Sequence, residues 1–210
     1  MSINIEHYSG DSLAAHINAL AGFRLRYFRE FPYLYASTEE GERKHIAEYI
    51  ANPTTRLILA RETNANNIIG IAVGTMLETE TEILRQISEP LRSCGIIPEQ
   101  YYYFGEMIAV PEYRHRGIGK QMLEALKNAG KEQGASRFCF LAVAREPNDP
   151  RRHAGPIDTD IVFRKFGFEK TALFVTFEWA TIQMDGSVQT SPNRLDLWVN
   201  QKCVNGSRKL

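Results

Sequence analysis

The stretch from Tyr101 to Gly134 constrains the fold of this chain more than any other, because it combines the patterns of a strand, a tight turn and a helix. Tyr101 to Val110 is rich in aromatic and β-branched residues, which predicts a mostly buried strand. From Ile118 onwards, apolar residues recur at helical spacing. We expect two glycines, Gly130 and Gly134, to close that helix. The centre of the chain is therefore a strand–turn–helix unit.

The turn in this unit, RHRGIGK, is both glycine-rich and basic. Glycines let a backbone approach a ligand closely, and the first N–H groups of the following helix have no intrahelical partner. Such a turn binds phosphate, and Arg114, Arg116 and Lys120 add positive charge. The plainer alternative is a tight turn with solvated basic side chains. The spacing fits neither a P-loop nor the dinucleotide fingerprint, whose third glycine is replaced here by Met122.

Arg114, Gly117 and Gly119 match the Q/R-x-x-G-x-G/A signature and so resemble the GNAT acetyltransferases. FRKFGF, at Phe163 to Phe168, resembles the second GNAT signature, Tyr-x-Lys-x-Gly-Phe. The resemblance covers roughly Ile3 to Phe177. It implies an α/β (α+β) fold with a mixed, largely antiparallel central sheet, a splayed parallel strand pair and helices on both faces.

The resemblance also implies a coenzyme A site. The pyrophosphate would lie on Arg114, His115, Arg116, Gly117, Ile118, Gly119 and Lys120. The pantetheine arm would pair with the strand edge at Met107, Ile108 and Ala109, below a bulge in that strand. Acetyl-CoA is then the expected co-substrate, and no metal is expected.

Phe163 is a departure from the family pattern. The family usually has a tyrosine here, whose hydroxyl is the general acid beside the thioester sulfur. Phenylalanine has no proton to give. The ring of Phe163 could still pack beside the coenzyme. Water or another side chain would then supply the proton, or the thiolate would leave without one because it tolerates the negative charge.

Glu106 is the candidate general base, because it is an acid in an otherwise apolar strand and burial raises the proton affinity of a carboxyl group. Strand alternation places Tyr103, the second catalytic candidate, on the opposite face, although a bulge would reverse that parity. The alternative is that Glu106 pairs with Arg114 or Arg116 and positions the turn. His153, in a polar loop, is a reserve candidate.

The resemblance implies an N-acyltransferase that moves an acetyl (acyl) group from acetyl-CoA to a primary amine by direct attack in a ternary complex. We expect a small-molecule or peptide acceptor and no covalent enzyme intermediate, with the cysteines away from the reaction centre. One alternative is a non-catalytic acyl-CoA-binding sensor on the same fold, as Phe163 suggests. Another is a nucleic-acid-binding protein that uses the arginine-rich turn.

Composition disfavours the nucleic-acid alternative and a membrane-surface role, because 25 Lys and Arg balance 25 Asp and Glu. Three scattered cysteines indicate a reducing cytoplasm, and no apolar run has the length of a leader or a membrane span. We expect one domain over residues 1–200, a flexible tail over 201–210, and a monomer or homodimer.

The rest of the chain yields a coarse order of elements. A first strand at Ile3 and Ile5 precedes a helix that we expect to end near Phe31, and a second helix with a cap at Ser37 follows. The segment Phe31 to Tyr35 is either core packing or a wall of the acceptor pocket.

Two apolar runs, Thr54 to Arg61 and Ile68 to Met76, predict a hairpin. The acidic insertion after it predicts a short helix broken at Pro90, and Glu78 to Glu82 form either a solvated face or part of the acceptor site. Three more segments predict the remaining strands: Arg137 to Val143, Thr171 to Ile182 and Leu195 to Val199. We expect a long loop and a helix near Phe163 between the first two, and a turn around Asp185-Gly186 between the last two.

Overall fold

The structure is a computed structural model that describes residues 2–152 and 159–200. Its strands are β1 (Ile3–Tyr8), β2 (Arg56–Glu62), β3 (Ile68–Met76), β4 (Tyr101–Ala109), β5 (Arg137–Val143), β6 (Glu169–Ile182) and β7 (Val188–Val199). Its helices are α1 (Asp11–Ala14), α2 (Ile17–Tyr27), α3 (Glu39–Ala51), α4 (Thr81–Ser93), α5 (Ile118–Glu132) and α6 (Thr159–Lys165). The predicted tail and His153 lie outside the described residues.

The seven strands form one sheet in the order β1-β2-β3-β4-β5-β7-β6. Neighbouring strands are antiparallel except β4 and β5, which are parallel. A parallel pair needs a crossover connection, and α5 supplies it. The predicted mixed, largely antiparallel sheet with one parallel pair is confirmed.

The pairing of β4 changes in the middle of the strand. Val73 lies opposite Glu106 whereas Gly74 lies opposite Phe104, so Gly105 is an extra residue and forms a bulge. Pairing of β4 with β5 runs from Tyr101 to Phe104. Beyond Phe104, β4 pairs with β3 only. The bulge and the separation of the two strands below it are both as predicted.

Helices cover both faces of the sheet, because successive strand residues pack into different clusters. Ile58 packs with α5, Phe163 of α6 and the centre of the sheet, whereas Leu57 packs with α1, α2 and α3. Helix α4 covers the far end of the second face, against β5, β6 and β7. Burial on both faces explains the nearly continuous apolar runs of β2 and β3.

Helix α5 passes through Gly130 rather than ending there, contrary to the prediction. A Cβ atom at Gly130 would lie 2.6 Å from Cγ of Tyr102, so this glycine permits close packing of helix on sheet. The chain leaves the helix at Gly134, whose φ of +90° favours glycine.

Other boundaries also differ from the sequence predictions: β7 begins at Val188 rather than Leu195, and α2 ends at Tyr27 rather than near Phe31. The first predicted helix is two helices, because His16 has non-helical angles (φ −109°, ψ 8°). The cap of α3 is Thr38, not Ser37, and its hydroxyl accepts a 3.1 Å hydrogen bond from the Gly41 N–H. Helix α4 continues through Pro90 with a kink at Ile87, which relieves the clash of the proline ring with the preceding turn. Among the described helices, none is long and apolar enough to cross a membrane.

Candidate active site

The predicted phosphate-binding turn lies between β4 and the N-terminus of α5. His115 and Gly117 have left-handed backbone angles, with φ of +61° and +80°. The side chains of Arg114, His115 and Arg116 are exposed. The Nε of Arg114 donates a 3.2 Å hydrogen bond to the Ala109 carbonyl, which ties the turn to the end of β4.

Glycine occurs at the two signature positions for different reasons. Gly117 caps α5 in a left-handed conformation that other residues adopt with strain. Gly119 has no positive φ, and a Cβ atom there would meet no protein atom within 4 Å. Since the fold does not require glycine at position 119, close approach of a ligand to the backbone is the simplest reason for it. The side chain of Ile118 is buried in the core, so only its backbone is available to a ligand.

The predicted strand edge lies just below the bulge. Met107 is 43% exposed, whereas Ile108 is buried against Tyr27, the last residue of α2, and Phe28, which follows it. Ala109 packs on the opposite face, against the core around α5. Because this part of β4 is not paired with β5, an extended ligand can approach its backbone edge.

Glu106 forms the centre of a buried cluster of charged residues. Arg24 of α2 donates through Nη1 to Glu106 and through Nε to Glu42 of α3. The hydroxyl of Tyr49 donates a 2.8 Å hydrogen bond to Oε1 of Glu106. Oε2 of Glu106 is buried and has no hydrogen-bond partner among the described residues. The alternative pairing of Glu106 with Arg114 or Arg116 is therefore wrong.

The expectation of a raised pKa for Glu106 is also wrong. Burial raises the pKa of this carboxyl, but the charge of Arg24, the nearby His45 and the hydrogen bond from Tyr49 together outweigh that effect, so the pKa is lowered. The carboxylates of Glu106 and Glu42 in turn raise the pKa of Arg24 against the effect of burial. At neutral pH the cluster holds an ionised carboxylate.

A hydrogen-bonded chain leads from Glu106 towards the surface. Nε2 of His45 lies 3.2 Å from the Tyr49 hydroxyl and 3.8 Å from Oε1 of Glu106. The side chain of His45 is 40% exposed, whereas that of Glu106 is 3% exposed. His45 and Tyr49 are four residues apart on α3, so they share a helix face.

Tyr103 lies on the same face as Glu106, because the bulge at Gly105 reverses the alternation. Its ring and the Tyr49 hydroxyl both flank Gly105, at 3.6 and 3.4 Å from a Cβ atom placed there. Burial, with the nearby charge of Glu80, raises the pKa of Tyr103 well above its usual value. Tyr103 therefore keeps its hydroxyl proton at neutral pH.

Aromatic and acidic residues surround this face of β4. Tyr33 stacks on Phe28 at 4.3 Å, and burial with the charge of Glu106 raises its pKa to about 12. Glu80, at the start of α4, has its pKa raised by burial to about 7. The aromatic segment thus contributes Tyr33 near Glu106, and the acidic insertion contributes Glu80 near Tyr103 and His45.

The structure also shows the surroundings of Phe163 and Cys139. The ring of Phe163 packs against Phe140 at 4.6 Å and Trp198 at 5.1 Å. Cys139 lies directly opposite Tyr103 in the β4–β5 register, so one cysteine lies next to a candidate site residue, closer than the sequence predicted. Burial raises the pKa of the Cys139 thiol, which makes it a poor nucleophile.

Sequence reasoning missed Arg24, Glu42 and His45. One available signal was helical spacing: Arg24 follows Leu20 by four residues and precedes Phe28 by four, which places a cation on the buried face of α2. Nothing local identified its carboxylate partners. Within residues 2–152 and 159–200, no three His, Cys, Asp or Glu side chains form a group that could hold a metal ion.

Comparison with known proteins identifies the class to which this fold and site belong. The Acetyltransferase (GNAT) family model matches residues 21–154. The chain therefore belongs to the GNAT family of acetyltransferases, as its motifs predict. No curated protein sequence matches the chain significantly.

Solved structures share the fold at low sequence identity. The aminoglycoside N-acetyltransferase AAC(6')-Iy, in complex with a bisubstrate analogue, has a TM-score of 0.57 and 15% identity, over 84% of this chain and 97% of that chain. Mosquito arylalkylamine N-acetyltransferase like 5b has a TM-score of 0.59 and 15% identity, over 94% and 99%. A GNAT acetyltransferase from Staphylococcus aureus has a TM-score of 0.55 and 18% identity, over 95% of this chain and 100% of that chain.

Proposed function

We propose that this protein is an N-acetyltransferase that transfers an acetyl group from acetyl-CoA to a primary amine on a small molecule or peptide. The main support for this proposal is that the basic turn and the unpaired edge of β4 adjoin each other. The basic turn starts where β4 ends, and the edge of β4 below the bulge is not paired with β5. One extended ligand can therefore contact both.

The turn suits the diphosphate of coenzyme A. Arg114, His115, Arg116 and Lys120 are exposed, and the first N–H groups of α5 point out of the helix end. Gly119 leaves room for a phosphate beside the backbone. The edge at Met107 to Ala109 then offers main-chain groups to the pantetheine amides.

The other side of β4 suits a cationic amine. Glu106 and Glu42 carry two negative charges against the single positive charge of Arg24. Glu80 adds an acidic group at the start of α4, and the rings of Tyr33 and Tyr103 are near. The names of two structural neighbours, an aminoglycoside and an arylalkylamine N-acetyltransferase, also describe amine acceptors.

The proposed chemistry is direct transfer in a ternary complex. The amine attacks the thioester carbonyl, and a backbone N–H near Ile108 or Ala109 stabilises the developing oxyanion. Cys139, although nearby, is buried with a raised pKa, so a covalent acetyl-enzyme is not part of the proposal. Phe163 supplies no proton, and the thiolate leaves without an acid from this position.

Glu106 and Tyr103 remain the site residues proposed from the sequence. Glu106 contributes an anion that Arg24 keeps ionised, and its Oε2 can accept a hydrogen bond from a bound ammonium group. Tyr103 contributes a protonated hydroxyl on the same face. The cytoplasmic location, the domain limits and the monomeric or homodimeric state remain predictions.

The test is a transfer assay with acetyl-CoA and a panel of primary amines, read by release of free thiol and by mass spectrometry of the product. We expect an acetylated amine to form at a rate proportional to enzyme concentration. Tight acetyl-CoA binding without transfer to any amine would instead favour a non-catalytic acyl-CoA sensor, the alternative that Phe163 supports. Failure to bind acetyl-CoA would contradict both.

A further inference from the structure

We propose that His45 accepts the proton that the acceptor's ammonium group must lose, and that Tyr49 and Glu106 position its imidazole ring for this step. The inference rests on the proposed function and names a proton acceptor that the sequence did not suggest. It follows from the direction of the hydrogen bonds between these three side chains.

The direction is fixed at the buried end of the chain. Arg24 keeps Glu106 ionised, and a carboxylate can only accept hydrogen bonds. The Tyr49 hydroxyl, 2.8 Å away, must therefore donate to Oε1. Burial and the negative charge of Glu106 raise the pKa of Tyr49 well above its usual value, so the hydroxyl keeps the proton it donates.

The direction at Tyr49 fixes the tautomer of His45. Because the single proton of the Tyr49 hydroxyl is directed at Glu106, the oxygen is left as an acceptor towards Nε2 of His45, 3.2 Å away. Nε2 then carries a hydrogen, and in the neutral ring Nδ1 is unprotonated. The chain thus presents a basic nitrogen on a half-exposed side chain next to the cluster.

Carboxyl groups lie near His45 on two elements. Glu106 lies 3.8 Å away on β4, and the attraction of Glu80 to His45 contributes to the pKa of Glu80. Glu48, on the same helix as His45, also acts on Glu80, and Arg24 lies behind Glu106. Carboxylates therefore face His45 from β4 and from the start of α4.

Glu106 itself is less suited to hold the proton. Its Oε1 already accepts from Arg24 and Tyr49, and protonation would leave Arg24 with one fewer buried counter-charge. Imidazole, in contrast, exchanges protons near neutral pH and can pass them directly to water.

Acetyl transfer removes two protons from the acceptor nitrogen. One proton leaves the ammonium nitrogen and binds Nδ1 of His45, directly or through one water molecule, and then passes to solvent. The freed nitrogen lone pair forms the bond to the carbonyl carbon, and the carbon–sulfur bond breaks. A second proton from that nitrogen ends on the sulfur, so the products are the amide and coenzyme A.

The first test compares His45→Gln with a control, His7→Gln, an exposed histidine on β1. Glutamine keeps an N–H that can donate to Tyr49 but is not a base. We expect kcat/KM for the amine to fall about 100-fold or more with loss of the acid limb of its pH profile, while acetyl-CoA affinity is unchanged. His7→Gln should behave as the wild type. An unchanged profile in His45→Gln would overturn the inference.

The second test separates His45 from the other candidates through their pH profiles. Tyr49→Phe should keep the acid limb but lower kcat/KM for the amine, because the imidazole ring loses the hydroxyl that holds its Nε2 hydrogen. Glu80→Gln and Glu106→Gln should also keep the limb. Its disappearance in either glutamine variant, with the limb intact in His45→Gln, would assign the base to that glutamate instead.

A third measurement does not depend on activity. Nitrogen-15 NMR of the histidine side chains in the full-length wild type reports the tautomer of each ring, with His45→Gln giving the assignment. We expect neutral His45 to carry its hydrogen on Nε2, and a hydrogen on Nδ1 would overturn the inference. A wild type that binds acetyl-CoA but acetylates no amine would instead contradict the proposed function, whatever the tautomer.

Discussion

At the scale of single residues, the candidate site depends on an arginine that compensates two buried carboxylates. Arg24 contacts both Glu42 and Glu106, and all three are buried. The net effect is a lowered pKa for Glu106 in surroundings that would otherwise raise it. One cation on α2 therefore decides the charge state of a residue on β4.

Removing this cation should destabilise the fold strongly. Arg24→Met leaves two uncompensated carboxylates in the interior, and we expect the free energy of unfolding to fall by about 3–5 kcal/mol at pH 7. Urea denaturation measures this, with Arg26→Met, at an exposed position on α2, as the control. Part of the loss should be recovered at acidic pH, where the carboxylates are protonated. Equal stabilities of the two variants would contradict the account.

Phe163 provides a second prediction at this scale. Because it packs on Phe140 and Trp198, Phe163→Leu should lower stability by about 1 kcal/mol through lost ring contacts. The basic limb of the pH–rate profile should remain, since phenylalanine has no ionisable group. The pH dependence of kcat, measured for the wild type and for Phe163→Leu, checks this. If the basic limb disappeared in the variant, the ring would have to influence a neighbouring group that ionises, which would contradict the prediction.

At the scale of elements, the sequence predicted what local chemistry determines. The strand, turn and helix around the basic signature follow from apolar spacing and glycines close together in the chain, and the structure has them there. The bulge at Gly105 is different, because its position depends on pairing with β3. Strand alternation alone left Tyr103 and Glu106 on opposite faces. The Arg24 cluster was also out of reach, because it joins α2, α3 and β4, which are distant in sequence.

Two helical glycines should respond to alanine with opposite signs. Gly130 packs against Tyr102, so Gly130→Ala introduces overlap and should cost about 1–3 kcal/mol. Gly22 on α2 faces open space, and Gly22→Ala should stabilise by about 0.5–1 kcal/mol. Urea denaturation of both variants provides the comparison. A stabilising Gly130→Ala would show that α5 does not pack as closely as described.

At the scale of the whole molecule, the sheet brings two distant regions of the chain to one place. The proposed coenzyme side is built from β4, the turn and α5, and the proposed acceptor side from α2, α3 and the start of α4. The residues of the first side come from the GNAT family resemblance, and their contacts with the coenzyme stay a prediction. The proposed acceptor side is defined by tertiary contacts between α2, α3 and β4, which the family signatures do not include.

Glu80 should make global stability pH-dependent. Its pKa is raised from 4.5 to about 7 in the folded protein, so the folded state binds more protons than the unfolded state between these values. The contribution of Glu80 to stability must then fall as pH rises from about 4.5 to 7. Thermal unfolding across this range should show a smaller decline for Glu80→Gln than for the wild type. Parallel curves would contradict the raised pKa.

The central claim is that acetyl-CoA binds at the glycine turn before α5, and calorimetric titration of acetyl-CoA into the wild type, Gly119→Ala and Gly22→Ala tests it most directly. Both alanines face open space in the protein and lie in helices, so both variants should fold and be slightly stabilised. We expect affinity to fall at least about tenfold, or about 1.4 kcal/mol, in Gly119→Ala, because the methyl group lies where the backbone would meet the diphosphate. Gly22→Ala should bind as the wild type does. Unchanged affinity in folded Gly119→Ala would contradict the claim.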